Sequence, residues 1–145
     1  MQVLNGATYE LFDKNLTWTD AARFCESRNG HLVTITSEQE QSLIETMLEK
    51  GSMHQYWIGL SSVSGQFQWI TDEEYAYSHW DAGEPNGGTK AGGETEQYAQ
   101  IYNVSNPVLG NSQRFFWNDI FIAIQIMIRI SNNQLYGTIP DNLPG

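Results

Sequence analysis

The chain of 145 residues contains a single cysteine, Cys25, so no disulfide bond can form within it. Basic residues are also scarce, because 7 Lys and Arg stand against 17 Asp and Glu, for a formal net charge of −10. Binding to nucleic acid or to an anionic membrane surface relies on Lys and Arg, and this composition disfavours both partners. An acidic chain remains compatible with metal cations and with neutral ligands.

Long apolar runs are missing as well. The longest, residues 120–130, is interrupted by Gln125 and Arg129 and is shorter than the roughly 20 residues that a membrane-spanning helix needs. Residues 1–6 carry neither a basic segment nor an apolar core, so no signal peptide is visible. Hydrophobic residues still make up 40% of the chain, which argues against disorder and, with the length, predicts one compact domain.

Two helices are predicted in the first third of the chain. Each begins with a hydroxyl residue that is followed three positions later by an acidic residue, which is the spacing of a capping box. An apolar stripe with helical period follows each cap, and a glycine, Gly30 or Gly51, ends the helix. The two cap pairs are Thr17 with Asp20 and Ser37 with Glu40.

Short apolar and aromatic segments predict strands, and with the helices they indicate an α+β fold. Residues 56–60 form a continuous aromatic run, and residues 66–70 follow a Ser-Gly turn as its hairpin partner. Ile stands at every even position from 120 to 130, which predicts a strand with one very apolar face. The remaining strand candidates are residues 9–12, 32–35, 98–102 and 114–117.

Residues 71–97 show no periodicity and are rich in glycine. They carry seven carboxylates and one basic residue, Lys90. A structureless stretch of this length inside a compact domain is generally functional or disordered. It is therefore the first place to look for a ligand site.

Side-chain oxygens are concentrated in Glu84-Pro85-Asn86, in Glu96 and in Trp117-Asn118-Asp119. Calcium prefers about six to eight oxygen ligands from carboxylates and amide carbonyls, and these residues offer both. Pro85 fixes the backbone between two of the ligands, and Trp117 anchors a strand that brings Asn118 and Asp119 to the site at its end. Glu94 is a rival to Glu96 as the third carboxylate.

Each of these features also has a simpler interpretation. A charge-rich loop is usually just solvated, and Asn118-Asp119 alone is typical of a turn after a strand. The ordered combination of Glu-Pro-Asn with Trp-Asn-Asp favours a metal site over both.

These residues resemble a C-type lectin-like domain over roughly residues 5–120. The matching motifs are Thr17-Trp18 in the first helix, Trp57-Ile58-Gly59-Leu60, Phe67-Gln68-Trp69, Glu84-Pro85-Asn86 and Trp117-Asn118-Asp119. The resemblance implies two helices flanking a twisted antiparallel sheet with a long calcium-binding loop region. We expect residues 1–130 to form this domain and residues 131–145 to form an irregular C-terminal tail.

The resemblance also implies a function. In the family, the residues that match Glu84, Asn86, Glu96, Asn118 and Asp119 hold one Ca²⁺ and hydrogen-bond vicinal hydroxyls of a sugar. The Glu-Pro-Asn order resembles the mannose-type subset, and the lack of disulfides resembles bacterial-type members. The family further implies an extracellular or cell-surface location. The alternative is a lectin-like scaffold that recognises a protein partner without binding sugar.

Motifs of the common enzyme classes are not found. The sequence has no phosphate-binding Gly-Lys-Ser/Thr loop, no Gly-x-Ser-x-Gly and no His-Glu-x-x-His. Glu84 and Glu96 could imitate a glycosidase pair, but carboxylates bound to Ca²⁺ are ionised and cannot serve as a general acid. We therefore predict that the chain is not an enzyme.

Overall fold

The computed structural model describes residues 2–87, 96–104, 113–120 and 125–132, the last of these by its backbone. These segments contain two helices and eight strands. In chain order they are β1 Gln2–Leu4, β2 Ala7–Leu16, α1 Trp18–Ser27, β3 Gly30–Leu32, α2 Glu38–Leu48, β4 Gln55–Ser61, β5 Gln68–Trp69, β6 Tyr98–Tyr102, β7 Trp117–Ile120 and β8 Gln125–Asn132. The α+β class predicted from the sequence is confirmed.

Both helices begin where the capping boxes predict. The amide of Asp20 donates to Thr17 Oγ1 at 3.1 Å, and the amide of Glu40 donates to Ser37 Oγ at 3.1 Å. Each cap satisfies one of the amides that the first helical turn leaves without a partner. The buried faces consist of Ala21, Phe24 and Cys25 in α1 and of Gln41, Ile44, Met47 and Leu48 in α2.

The strands form one sheet in the order β1-β2-β8-β4-β6-β7, with β3 paired to β8 and β5 paired to β4. The pairings are antiparallel except that β4 runs parallel to β8. The hairpin of β4 with β5 is confirmed, with Leu60 opposite Trp69. The last described strand therefore lies inside the sheet, between an early and a middle segment of the chain.

Several strand boundaries differ from the sequence predictions. The strand predicted at 32–35 ends at Leu32, because the carbonyl of Val33 turns to accept the amide of Gly59 at 2.7 Å. The strand predicted at 114–117 instead begins at Trp117 and includes Asn118 and Asp119, which pair with β6. These two residues thus lie within a strand and not beyond its end.

The isoleucine-rich stretch is also divided differently. Ile120 ends β7, residues 121–124 lie outside the described segments, and β8 continues to Asn132, two residues into the stretch predicted as irregular tail. β8 pairs with β2 from Ala7↔Asn132 to Leu16↔Gln125, so this part does join the N-terminal strand. Residues 133–145 lie outside the described segments.

The core contains three tryptophans that are almost fully buried: Trp57, Trp69 and Trp117. Trp57 Nε1 donates to the carbonyl of Leu16 at 2.8 Å, and the half-buried Trp18 donates to the carbonyl of Ile58 at 2.8 Å. These bonds link the start of α1 to β4. In the described part of the chain, neither helix combines the length and apolar character needed to cross a bilayer.

Gln41 joins α2 to the strand that carries the candidate site. Its side chain has no solvent exposure, and its Oε1 accepts from Trp117 Nε1 at 3.0 Å. Its Nε2 donates to the carbonyl of Phe115 at 2.8 Å and to Glu45 Oε2 at 3.0 Å. A buried amide that is satisfied on both ends fixes the position of Trp117 relative to the helix.

We expect Gln41→Leu to lower the free energy of unfolding by about 1–3 kcal/mol, because it leaves the buried Trp117 Nε1 without an acceptor and removes the donor to the Phe115 carbonyl. Urea denaturation of both variants measures this, with Gln39→Leu as the control, since Gln39 lies exposed on the same helix. Equal effects of the two substitutions would contradict the structural role of Gln41.

Candidate functional site

The candidate site is built on β7. Trp117 holds this strand in the core, and the next two residues, Asn118 and Asp119, are 7% and 0% exposed. Opposite them on β6 lie Gln100, paired with Asn118, and Ala99, paired with Asp119.

The acidic segment 81–87 folds back onto Asp119. The amide of Asn86 donates to Asp119 Oδ1 at 3.1 Å, and the amide of Gly87 donates to Oδ2 at 2.7 Å. Glu84 Oε1 accepts the Asn86 amide as well, at 3.1 Å. The Glu84–Pro85 peptide bond is cis. Residues more than 30 positions apart in the chain therefore meet at one carboxylate.

Negative charge accumulates at this point. Burial, a hydrogen bond with Asp119 and the charge of Asp119 together raise the pKa of Glu84 to about 7, and the charge of Glu96 adds to the shift. The Asn86 amide acts in the opposite direction. Two further carboxylates thus lie close enough to Glu84 to oppose its ionisation.

Asp81 is a residue that the sequence analysis did not single out from the other loop carboxylates. It is 6% exposed, and its two oxygens accept the amides of Ala82 at 3.0 Å and Gln113 at 3.2 Å. Its own amide donates to the carbonyl of Trp117 at 2.8 Å. Asp81 therefore holds the base of the loop against β7. A carboxylate that follows a tryptophan at the start of a glycine-rich stretch was the available signal.

The structure brings three of the five predicted ligands together through hydrogen bonds: Glu84, Asn86 and Asp119. Glu96 is near enough to affect the ionisation of Glu84. Asn118 directly precedes Asp119 in β7 and pairs with Gln100 on β6. Glu94, the rival ligand, lies outside the described residues. In the segments that are described, no group of three or more His, Cys, Asp or Glu side chains closes to the spacing of a metal cluster.

The donor set fits a hard cation even so. Its side chains offer oxygen atoms, which are what Ca²⁺ prefers, and a carboxylate oxygen that accepts one amide keeps a lone pair for a metal. Gln100, the register partner of Asn118 on β6, has its Oε1 buried without a hydrogen-bond partner among the described residues. Orphaned buried acceptors are rare and call for an explanation such as an ion or a water molecule.

We expect the metal-free protein to lose stability as pH rises from about 4.5 to about 7. The folded pKa of Glu84 lies near 7, above its ordinary value of 4.5, so the folded state binds more protons than the unfolded state within that window. Denaturation in the presence of a chelator at several pH values tests this. Glu84→Gln should flatten the slope, whereas Glu74→Gln, at an exposed loop position, should retain it.

A second expectation concerns Asp81. Asp81→Ala should lower the free energy of unfolding by about 1–3 kcal/mol, since the amides of Ala82 and Gln113 lose their acceptor. Thermal and urea denaturation give the value, and Glu74→Ala is the matched control. If both variants unfold like the unmodified chain, Asp81 does not anchor the loop.

The amino-acid sequence also matches that of a known protein family. Residues 14–117 match the family profile described as Lectin C-type domain. A perlucin-like protein from Mytilus galloprovincialis is 31% identical over 108 residues, which are 71% of this chain and 61% of that protein. The chain thus spans less than two thirds of this relative's length.

Solved structures agree on the fold. The carbohydrate-recognition domain of the human scavenger receptor C-type lectin superposes with a TM-score of 0.74 at 23% identity, covering 90% of this chain and 95% of that one. The cow C-type domain of CD23, solved in the presence of a GlcNAc2Man3 oligosaccharide, superposes with a TM-score of 0.68 at 25% identity, covering 91% and 92%. The lectin-like fold expected from the sequence motifs is confirmed.

Proposed function

Because the chain belongs to the C-type lectin domain family, we propose that it binds a neutral saccharide through one Ca²⁺ ion. Its ligands would be Glu84, Asn86, Glu96, Asn118 and Asp119, the residues that the family motifs indicate. The observation that carries the proposal is the pair of amide bonds from Asn86 and Gly87 to the Asp119 carboxylate. These bonds seat the Glu-Pro-Asn segment against the Trp-Asn-Asp strand.

The electrostatics support a cation at this position. The charges of Asp119 and Glu96 raise the pKa of Glu84, and a divalent ion among these carboxylates would offset that repulsion. Three carboxylates around one Ca²⁺ leave a residual charge near −1, so a neutral ligand suits the site better than an anionic one.

In agreement with the prediction from the sequence, the family consists of binding proteins and not of enzymes.

The calcium ion and its ligands would have separate roles in sugar binding. A calcium ion held by these residues would supply coordination positions for two neighbouring hydroxyls of a sugar ring. The carboxylate and amide side chains of Glu84 and Asn86 accept from and donate to those same hydroxyls. The Glu-Pro-Asn order supports a mannose-type sugar, and the relationship to the lectin family supports an extracellular or cell-surface location.

Calcium should raise the melting temperature, because an ion that binds only the folded form stabilises it. Melting with Ca²⁺ and with EDTA measures this shift. Glu84→Gln should weaken calcium affinity by about tenfold or more, since it removes one of the charges that hold the ion. Glu74→Gln, at an exposed position outside the proposed ligand set, should bind calcium like the unmodified chain. The absence of a calcium shift in the unmodified protein would refute the metal step.

Sugar binding is tested by titration with methyl α-mannoside in calcium and in EDTA. We expect weak binding in calcium and none with the chelator. A protein partner that binds equally well in EDTA and is not displaced by mannoside would support the alternative, protein recognition on a lectin-like scaffold. That outcome would replace the saccharide proposal.

A further inference from the structure

The dipeptide Asn86-Gly87 in the acidic segment has a reactivity of its own, separate from metal binding. Gly87 adopts a φ of +62°, in the left-handed region that favours glycine, so the turn onto Asp119 selects glycine at this position. A Cβ built there meets no atom within 4 Å, so conformation and not crowding makes the selection. Both residues are exposed to solvent. An asparagine followed by glycine is especially prone to cyclise, because glycine has no side chain to hinder attack by its own amide nitrogen.

The reaction open to this dipeptide is deamidation. The backbone nitrogen of Gly87 bonds to Cγ of Asn86, and the side-chain nitrogen leaves as ammonia with the proton of the attacking amide, which closes a succinimide ring. Water then opens the ring. Cleavage of the bond between the nitrogen and Cγ yields aspartate, whereas cleavage of the bond to the main-chain carbonyl carbon yields isoaspartate.

In the structure, Asp119 holds the attacking nitrogen. The amide of Gly87 donates to Asp119 Oδ2 at 2.7 Å, and the amide of Asn86 donates to Asp119 Oδ1 and to Glu84 Oε1, both at 3.1 Å. The nucleophile in ring closure is the amide nitrogen without its proton, and a hydrogen bond to a buried carboxylate stabilises the protonated form. Two successive amides held in this way also restrict the rotation that brings the nitrogen to Cγ.

The same dipeptide occurs in the turn between β1 and β2. Leu4 and Ala7 form the pair that closes this hairpin, so Asn5 and Gly6 are its two turn residues and lie outside the ladder. Both are exposed to solvent. The chain therefore offers an internal comparison between a dipeptide held by a buried carboxylate and one in an open turn.

We propose that Asn86 is a deamidation site, and that the bonds to Asp119 keep the reaction slow for as long as the acidic segment is attached to β7. Local opening of the segment releases the Gly87 amide, and Asn86 then converts irreversibly to a carboxylate. The product adds a negative charge next to Glu84 and Asp119 and removes the side-chain N–H donor. Loss of saccharide binding would follow, a consequence that rests on the proposed function, whereas the modification itself does not.

Peptide mapping by mass spectrometry follows the reaction at mildly alkaline pH in EDTA, so that the result does not depend on calcium. We expect Asn86 to convert on the order of tenfold more slowly in the folded than in the guanidinium-denatured protein, since hydrogen bonds to a charged group favour the attached segment by at least about that factor. Folding should slow Asn5 less. Equal rates for Asn86 in the two states would overturn the proposal, and so would a faster rate in the folded state, because Asp119 would then act as a base.

A variant tests the role of Asp119 directly. Asp119→Asn removes the charge of the acceptor and should accelerate the conversion of Asn86 several-fold while leaving Asn5 unchanged. Glu74→Gln, at an exposed loop position, should keep the slow rate. A folded Asp119→Asn variant with an unchanged rate at Asn86 would overturn the proposal. If this variant does not fold, both sites accelerate together, and the folded-to-denatured ratio of the unmodified protein decides.

The consequence for sugar binding is tested separately. Asn86→Asp reproduces the charge of the deamidated side chain, and calorimetry in calcium should show that it no longer binds methyl α-mannoside. If this variant binds the sugar as well as the unmodified protein does, the consequence is wrong while the modification stands. If the unmodified protein binds no mannoside in calcium, the proposed function fails, and the deamidation site is still decided by peptide mapping.

Discussion

The carboxylate of Asp119 is the point on which the rest of the site depends. It lies in a strand with no solvent exposure, and its oxygens accept two successive amides from a distant loop. Charge-assisted bonds to backbone amides are among the stronger hydrogen bonds in proteins. These bonds keep the acidic segment 81–87 folded against β7, although repulsion between its carboxylates and Asp119 favours its opening. The other features of the site, from the raised pKa of Glu84 to the position of Asn86, follow from this attachment.

A network of buried polar groups supports this attachment in a chain that cannot form an internal disulfide. Gln41 on α2 accepts a hydrogen bond from Trp117, and Asp81 at the start of the loop accepts one from the amide of Gln113. Both act on the same short strand, and both are fully or almost fully buried. Directional bonds of this kind specify one arrangement, because any other arrangement leaves buried groups without partners. The strand is thereby held in place from both sides.

Local chemistry in the sequence was sufficient to predict the helices and the hairpin. Thr17 and Ser37 predict where the helices begin, because an N-cap hydrogen bond involves only residues within one helical turn. The Glu-Pro-Asn and Trp-Asn-Asp motifs indicated which residues meet, since their order matches a known family. Gln41 and the end of β3 at Leu32 were missed, because their roles come from contacts with distant parts of the chain. The same holds for Asn118 and Asp119, whose place inside a strand depends on pairing with β6.

The position of β8 has a consequence for how the protein forms. This strand is the last one described along the chain, yet it lies between β2 and β4 and pairs with both. During synthesis, β2 and β4 are made long before the segment that separates them, and until it arrives each presents an open edge. Folding must then wait for a contact between sequence-distant segments, which is slow and exposes the nascent chain to misassociation. A ribosome stalled before residue 125 would hold β2 and β4 without the strand that pairs with both of them.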